Sequence, residues 1–142
     1  MARYTTTIAS SLSADEAFAY MADFSHAREW DPSVAEAKRE GDVGPDATFD
    51  LVVRFGGRKL PMRYETTAFD AAARRVVLQA DNPRFVSRDT ITVTAADGGS
   101  SVHYDAALDL RGAGKVFDLV QQLLFNRTGD KAAAGMRTAL NR

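Results

Sequence analysis

The chain opens with a stretch rich in β-branched residues, followed by an amphipathic helical pattern. Residues 3–8 are typical of a first strand. Ser13 and Glu16 have the spacing of a capping box, in which each side chain accepts a hydrogen bond from a backbone amide at the start of a helix. The predicted helix places these residues on one face: Ala14, Phe18, Met21 and Ala22. We therefore expect the helix to cover a core.

Two more helices are predicted, one soon after the first and one at the end of the chain. The short one covers residues 25–30 and ends there because Pro32 disfavours helical angles at Asp31. The long one covers residues 115–140 and measures about 39 Å at about 1.5 Å per residue, enough to cross a sheet. Its apolar positions form two stripes on opposite faces, one up to Leu124 and one beyond it. A bend or break is therefore expected at residues 126–129, where Gly129 makes a kink less costly.

Residues 34–110 alternate between short strands and turns. The turn signals recur at short intervals and separate about six strands, which is typical of an antiparallel meander. Gly56 and Gly57 suit a two-residue hairpin turn, because such turns need positive φ angles. The order of strand, two small helices, meander and long helix predicts an α+β fold. The length of 142 residues predicts a single domain over residues 1–142.

Alternation within the strands indicates one apolar and one solvated sheet face. The predicted inward residues of three strands are Phe49, Leu51, Val53 and Phe55; Met62, Tyr64 and Thr66; and Val102, Tyr104, Ala106, Leu108 and Leu110. The strand at residues 85–95 differs, because the same parity places Asp89 inside. A buried unpaired carboxylate is costly, so Asp89 should be hydrogen-bonded, protonated or facing a wet cavity. Tyr64 and Tyr104 are its natural partners.

Composition narrows the class of protein. The hydrophobic share of 45% and charged share of 26% are those of an ordinary globular protein. A formal net charge of −1 gives no basic footprint for nucleic acid. No run approaches the roughly 18 apolar residues of a membrane span, so no integral membrane association is expected. Neither cysteine nor a signal-peptide pattern is present, which favours a cytoplasmic protein.

Motifs for metal, cofactor and hydrolase sites are absent from the sequence. The only histidines, His26 and His103, lie outside any HxH or HExxH spacing, so no metal is predicted. No GxSxG elbow supports a serine hydrolase. The segment at residues 112–115 fails as a phosphate loop, because Asp109 replaces its first glycine and Val116 its Ser/Thr. No cofactor is predicted.

Four short segments carry a family resemblance. They are residues 13–18 (SADEAF), 30–32 (WDP), 97–104 (DGGSSVHY) and 129–136 (GDKAAAGM). With the element order, they resemble the START/Bet v 1-like (SRPBCC) superfamily, and within it the bacterial polyketide cyclase/dehydrase-like proteins, over essentially the whole chain. The resemblance implies the helix-grip fold, in which an antiparallel sheet of about seven strands curves around the C-terminal helix and encloses an apolar cavity.

The resemblance also implies a class of ligand. Members bind lipids, sterols, plant metabolites or polyketides in the cavity, although the substrate does not follow from the fold. The expected partner is therefore a hydrophobic small molecule, with an acyl or flat polycyclic part. The residues expected to line the cavity are Trp30, Phe49, Leu51, Val53, Phe55, Met62, Tyr64, Asp89, Tyr104, Phe117, Val120 and Leu124, with Asp89 as the polar contact.

An enzyme of the cyclase/dehydratase type is the first alternative. Asp89, Tyr64 or Tyr104 would then move protons. The aromatase/cyclases of this superfamily orient polyketides with interior arginine and hydroxyl residues. Here Arg54, Arg63 and Arg88 fall on the outward face. Only Arg127, near the expected bend, could reach inside.

A ligand-free domain that only contacts other proteins is the second alternative. It would be supported by a cavity smaller than about 300 Å³. Trp30, the single tryptophan, bears on the choice. It is either a structural anchor for the short helices or a wall at the cavity mouth that stacks on a flat ligand.

Overall fold

The computed structural model describes residues 1–55, 57–81, 83–111 and 115–142, without the side chains of Phe55 and of residues 115–120. Over these residues one antiparallel sheet is formed, in the order β1-β7-β6-β5-β4-β3-β2. Its strands are β1 (Ala2–Ser10), β2 (Val34–Glu40), β3 (Thr48–Phe55), β4 (Arg58–Asp70), β5 (Arg75–Asp81), β6 (Phe85–Ala96) and β7 (Gly99–Leu110). The helices are α1 (Ala14–Ala22), α2 (Ala27–Trp30) and α3 (Lys115–Ala139), with a 3-10 turn at Phe24–His26. The predicted helix-grip α+β architecture is confirmed.

Helix α1 begins as predicted. The Ser13 hydroxyl accepts from the Glu16 amide at 3.1 Å, and the Glu16 carboxylate accepts from the Ser13 amide at 3.4 Å. These two bonds satisfy amides that have no partner inside the helix. The apolar face predicted for α1 is buried. It covers the far end of the sheet, where the Phe18 and Phe69 rings lie 5.4 Å apart.

The second short helical segment ends where Pro32 was expected to end it. The 3-10 turn and α2 follow one another directly, and the last helical hydrogen bond runs from the Asp31 amide to the Ala27 carbonyl at 2.8 Å. Helix α2 lies against α3 at Gly135. A Cβ at Gly135 would stand 1.9 Å from the Trp30 carbonyl oxygen, so only glycine fits this contact. The backbone around Trp30 is therefore held directly on the long helix.

Helix α3 runs through residues 126–129, so the expected break is wrong, while a bend there stays a prediction. The described part buries one stripe, which consists of Gln121, Ala132, Ala133, Met136 and Ala139, with Phe125 and Thr128 half-buried on the same line. Leu123 and Leu124 are 57% and 41% exposed. These two residues of the first predicted stripe are therefore not buried. Val116, Phe117 and Val120 lie outside the described side chains. Within the described ranges, no helix has both the length and the hydropathy to cross a membrane.

The predicted strand parity is confirmed across the centre of the sheet. On β6 the buried residues include Phe85, Ser87, Asp89, Ile91 and Val93, and on β7 they include Val102, Tyr104, Ala106 and Leu108. The pairing of these two strands runs without a bulge from Phe85↔Leu110 to Ala96↔Gly99. The sheet therefore turns a continuous inner face toward α3. In the predicted Gly56–Gly57 turn, Gly57 has the expected positive φ, of +78°. Gly56 lies outside the described residues.

Candidate functional site

A cavity lies between the inner sheet face, the segment around Trp30 and helix α3. Seven of the residues expected to line it do so: Trp30, Leu51, Val53, Met62, Tyr64, Asp89 and Tyr104. Among residues without a prediction, Phe24, Asp31, Ser87, Phe85 and Phe125 complete much of the wall. The walls are mainly apolar and aromatic, with a few polar groups inside, which is the usual make-up of a small-molecule site. Contact of these residues with a ligand stays a prediction.

Two of the expected lining residues lie elsewhere. Phe49 is fully buried, but Phe24 covers it, with the ring centroids 6.1 Å apart, and it stays outside the wall. Leu124 is on the exposed side of α3, because the neighbouring Phe125 and Thr128 take the inward positions. Phe55, Phe117 and Val120 fall outside the described side chains. The inner wall thus depends on the sheet more than on the leucines of α3.

The cavity is small, with a volume of about 90 Å³. Pockets for drug-sized ligands measure about 300–1,000 Å³, so the volume taken alone favours the filled-core alternative. Two hollows of about 590 and 520 Å³ are larger. They lie on the solvated sheet face, where charged side chains such as Lys38, Arg63 and Arg88 form much of the lining. The inner cavity is the better candidate because its aromatic walls surround convergent polar groups.

Two hydrogen-bonded pairs supply polar groups of the cavity. The Tyr104 hydroxyl donates to Asp89 Oδ2 at 2.8 Å, which confirms one of the two predicted partners. Tyr64 instead shares a hydrogen bond of 2.8 Å with Ser87 Oγ, so its predicted pairing with Asp89 is wrong. Ser87 and Asp89 are two residues apart on β6 and therefore point to the same face.

Small residues make room for the two tyrosine rings. Ala80 of β5 lies between Tyr64 and Ser87 in the cross-strand register. Ala106 of β7 stands opposite Asp89, two residues from Tyr104 on the same face. Because alanine carries only a methyl group, the ring beside it can lean across the sheet and bring its hydroxyl to the next strand. The sheet thus positions both hydroxyls without help from a loop.

One oxygen of the Asp89 carboxyl has no donor among the described residues. Asp89 is only 6% exposed, and the described hydrogen bond to its carboxyl comes from Tyr104 and reaches Oδ2. Asp89 also lines the cavity. Its Oδ1 is available to a bound molecule.

The environment of Asp89 brings the pKa of its carboxyl close to neutral pH. Burial raises the pKa of Asp89 from 3.8 to about 7, and the hydrogen bond from Tyr104 opposes that rise. The nearby Asp31 carboxyl raises it further, since two negative charges repel each other. Burial also raises the pKa of Asp31, against the two hydrogen bonds that it accepts from Ser33.

Replacing Tyr104 by phenylalanine is expected to raise the pKa of Asp89 above about 7. The tyrosine hydroxyl stabilises the carboxylate more than the neutral acid, and the variant loses that hydrogen bond. Titration of the Asp89 side-chain carbon by ¹³C NMR measures the change. Tyr64→Phe is the matched control, because Tyr64 bonds to Ser87. Equal shifts in the two variants would contradict the assignment.

Trp30 has features of both of its predicted roles. It is 2% exposed, and its backbone touches Gly135 of α3, as an anchor requires. Its ring also lines the cavity and stands nearly edge-on to Tyr104, with centroids 5.6 Å apart and planes at 73°. A second edge contact joins it to Phe24 at 6.0 Å. Trp30 is thus held too firmly to act as a free lid, while its ring still forms part of the wall.

The cavity approaches the surface beside Asp31. A hollow of about 240 Å³ shares Asp31, Ser33 and Thr128 with the cavity, so these three side chains stand between the cavity and solvent. The hollow also includes the exposed cations Arg54 and Lys131. Sequence reasoning missed Asp31, because it follows α2 in a turn where no periodicity indicates direction. Its place in the WDP segment, beside the single tryptophan, was the available signal.

No cationic side chain is found on the described part of the cavity wall. Arg127, which was expected to be the one arginine able to reach inside, is exposed and lies outside the wall. Arg63 is on the outer face, where it pairs with Asp50 at 2.9 Å. The described residues also contain no cluster of three or more His, Cys, Asp and Glu side chains that could hold a metal. Any proton transfer inside would involve the carboxyl and hydroxyl groups.

Comparison with known proteins gives a family match over nearly the whole chain. Residues 1–141 match the model of the family described as "Polyketide cyclase / dehydrase and lipid transport". No curated protein matches the chain.

Solved structures show the same fold at low sequence identity. The chain is similar to the Zhui aromatase/cyclase from Streptomyces sp. R1128, with a TM-score of 0.78, 12% identity, and 97% and 92% of the two chains covered. A START superfamily protein from Mycobacterium smegmatis gives a TM-score of 0.74 at 14% identity, with 97% and 94% covered. A protein from Thermus thermophilus gives 0.79 at 14% identity, with 98% and 95% covered. At these identities the likeness concerns the fold.

Proposed function

We propose that the cavity of this protein binds a small apolar molecule carrying one polar group. The premise is that the chain belongs to the polyketide cyclase/dehydrase and lipid transport family. The observation that carries the proposal is Asp89, a buried carboxyl that lines a mainly apolar cavity and has no donor to its Oδ1 among the described residues. The apolar part would lie against Trp30, Leu51 and Met62, and the polar group would reach Asp89.

The buried polar groups argue against the filled-core alternative. A core without a ligand gains nothing from Asp89, since a buried carboxyl replaced by an apolar residue of similar volume is often neutral or stabilising. The hydrogen bond from Tyr104 satisfies one oxygen only. The cavity of about 90 Å³ limits the bound part to about one ring unless the walls separate. A ligand with a single ring is therefore the first to test.

An enzyme that uses the same cavity is the second candidate. A pKa of about 7 suits Asp89 for general acid or base chemistry at neutral pH. Binding and catalysis are separated by the effect of Asp89→Asn or Tyr64→Phe. In an enzyme that depends on these groups, either change abolishes turnover, whereas in a binding protein it only shifts affinity. No cation lines the described wall, so substrate orientation would depend on these hydroxyl and carboxyl groups.

Filling the cavity with Ala106→Leu is expected to weaken the binding of benzyl alcohol by about tenfold or more. Ala106 is 5% exposed and lies in the wall, so the added carbons occupy the space needed by the ring. Fluorescence of Trp30, the single tryptophan, reports saturation. Ala107→Leu is the control, because Ala107 lines a hollow of the opposite sheet face.

A second variant guards the test against misfolding. Ala106→Val adds fewer carbons, so its affinity should fall between those of the wild type and Ala106→Leu, while circular dichroism shows a native spectrum. Failure of the wild-type protein to give a saturable response with benzyl alcohol or a larger apolar dye would support the filled core. Equal loss of binding in Ala106→Leu and Ala107→Leu would place the ligand elsewhere.

A further inference from the structure

The inner cavity carries acidic groups without a balancing cation. Asp31 and Asp89 both line it, and the described wall contains no lysine, arginine or histidine. Ser33 donates its amide and hydroxyl to Asp31 Oδ1, at 2.8 and 2.7 Å, which leaves Oδ2 without a donor among the described residues. Among the described residues, each carboxyl thus has one oxygen without a donor. An anion placed here would meet negative charge in a poorly solvated space, which is strongly unfavourable.

Aromatic rings surround the same space. Trp30, Tyr104, Phe24 and Tyr64 lie in the wall, and neighbouring members of the group contact each other edge to face. The faces of such rings attract a cation through the ring quadrupole, most strongly where water is excluded. A ring of the ligand can also pack against them. Carboxyl oxygens inside an aromatic wall favour a ligand that carries both a ring and a positive charge.

We propose that the cavity selects an arylalkylamine, whose ammonium group donates to Asp89 Oδ1 while its ring packs against Trp30 and Tyr64. This inference rests on the proposed binding function and names the ligand class. Phenols and alcohols can also donate to a carboxylate, but a charge-assisted hydrogen bond is about twice as strong as a neutral one. The ammonium group also gains from the negative charge of Asp31, which a neutral hydroxyl does not.

Cations beside the cavity mouth favour anions, whereas the carboxyls inside favour cations. Arg54 and Lys131 are exposed in the hollow beside Asp31, where they attract anions. Salt screens charges at the surface, with a Debye length of about 8 Å at physiological ionic strength, much more than it screens buried groups. The preference for an amine over a neutral or anionic ligand therefore arises at Asp89 and should remain at physiological salt concentration.

The test compares benzylamine, benzyl alcohol and benzoate, which share a ring and differ in charge. Trp30 fluorescence is followed at about pH 8 in roughly 0.15 M salt. We expect benzylamine to bind about tenfold or more tightly than benzyl alcohol, and benzoate to bind most weakly. Asp89→Asn should remove most of the preference for benzylamine over benzyl alcohol. Asp109→Asn, which removes a carboxyl from the exposed face of β7, should preserve the preference.

The protonation of Asp89 gives an independent readout. Benzylamine affinity should fall as the pH drops below about 7, because the protonated carboxyl no longer attracts the ammonium group. The titratable groups that act on Asp89 are Tyr104 from β7, Asp31 after α2 and Asp105 on the outer face, while Tyr64 from β4 lines the same wall and has its own pKa raised by Asp89. Benzyl alcohol affinity should change little over the same range.

The outcomes separate the two proposals. Equal affinities for benzylamine and benzyl alcohol, or tighter binding of benzoate, would overturn the selection for an amine while leaving the binding function intact. A preference for benzylamine that is undiminished in Asp89→Asn would also overturn it, since the charge would then be recognised elsewhere. Absence of a saturable response to all three compounds would count against the binding function itself.

Discussion

Asp89→Asn is expected to raise the free energy of unfolding at pH 8 and to remove most of the pH dependence of stability between about pH 4 and pH 7. Burial holds the pKa of Asp89 at about 7 in the folded protein, above its ordinary value of 3.8. The unfolded chain therefore releases this proton first. The wild-type protein loses stability as the pH rises from about 4, and the loss is complete above about 7.

The size of the effect follows from the shift. At 1.36 kcal/mol per pKa unit, the rise from 3.8 to about 7 corresponds to roughly 4 kcal/mol at pH 8. Asparagine keeps the shape but brings an amide that needs a partner, so the expected gain is about 2 kcal/mol. Urea unfolding at pH 5 and pH 8 measures it. Asp109→Asn is the exposed control. A gap between the wild type and Asp89→Asn that is the same at both pH values would show that Asp89 is not held protonated by burial.

Gly135→Ala is expected to destabilise the protein by about 3 kcal/mol, although alanine is the better helix former by about 1 kcal/mol. The new Cβ would meet the carbonyl oxygen, carbonyl carbon and Cα of Trp30 at 1.9, 2.7 and 3.0 Å. All three are backbone atoms, so α2 and α3 must move apart. Trp30 should become more exposed to water, which a red shift of its emission would show.

Gly129→Ala on the same helix is the matched comparison. Its Cβ would come within 2.4 Å of the Tyr4 ring, which belongs to a half-buried side chain and not to the backbone. Urea unfolding should therefore show a smaller loss than for Gly135→Ala. A larger loss at Gly129, or an unchanged Trp30 emission in Gly135→Ala, would mean that the direct backbone contact does not determine the position of α2.

The sequence predicts the sheet and its inner face well, because alternation is reliable where strands pair without bulges. The regular β6–β7 register is the reason that the parity of Asp89 and its pairing with Tyr104 hold. The expected partnership of Tyr64 with Asp89 fails because Ser87 lies closer, across Ala80. The alternation of apolar and polar residues along a strand predicts which face a side chain occupies. It does not predict which neighbour on that face the side chain will contact.

Helix α3 and the turn after α2 show where sequence reasoning reaches its limit. In α3, polar Gln121 and Thr128 take inward positions, while Leu123 and Leu124 remain exposed. Gln121 is accommodated because its amide donates to the Leu108 carbonyl at 3.2 Å. Hydrophobicity alone therefore misplaced Leu123 and Leu124, whereas Met136 and Leu140 of the second stripe are buried as predicted. Asp31 lies in a turn, where neither helical nor strand periodicity applies, so only the folded chain places it in the cavity wall.

The pairing of β1 has a consequence for synthesis on the ribosome. β1 joins the sheet only through β7, from Ala2↔Leu108 to Ser10↔Ser100, whereas β2 to β7 each pair with a strand next to them in the chain. A growing polypeptide can therefore assemble its hairpins in turn, while residues 2–10 wait about a hundred residues for a partner. Until then this stretch exposes unpaired backbone and is open to chaperones or to association with other nascent chains. Any pause in translation before β7 has emerged from the ribosome should prolong that exposure.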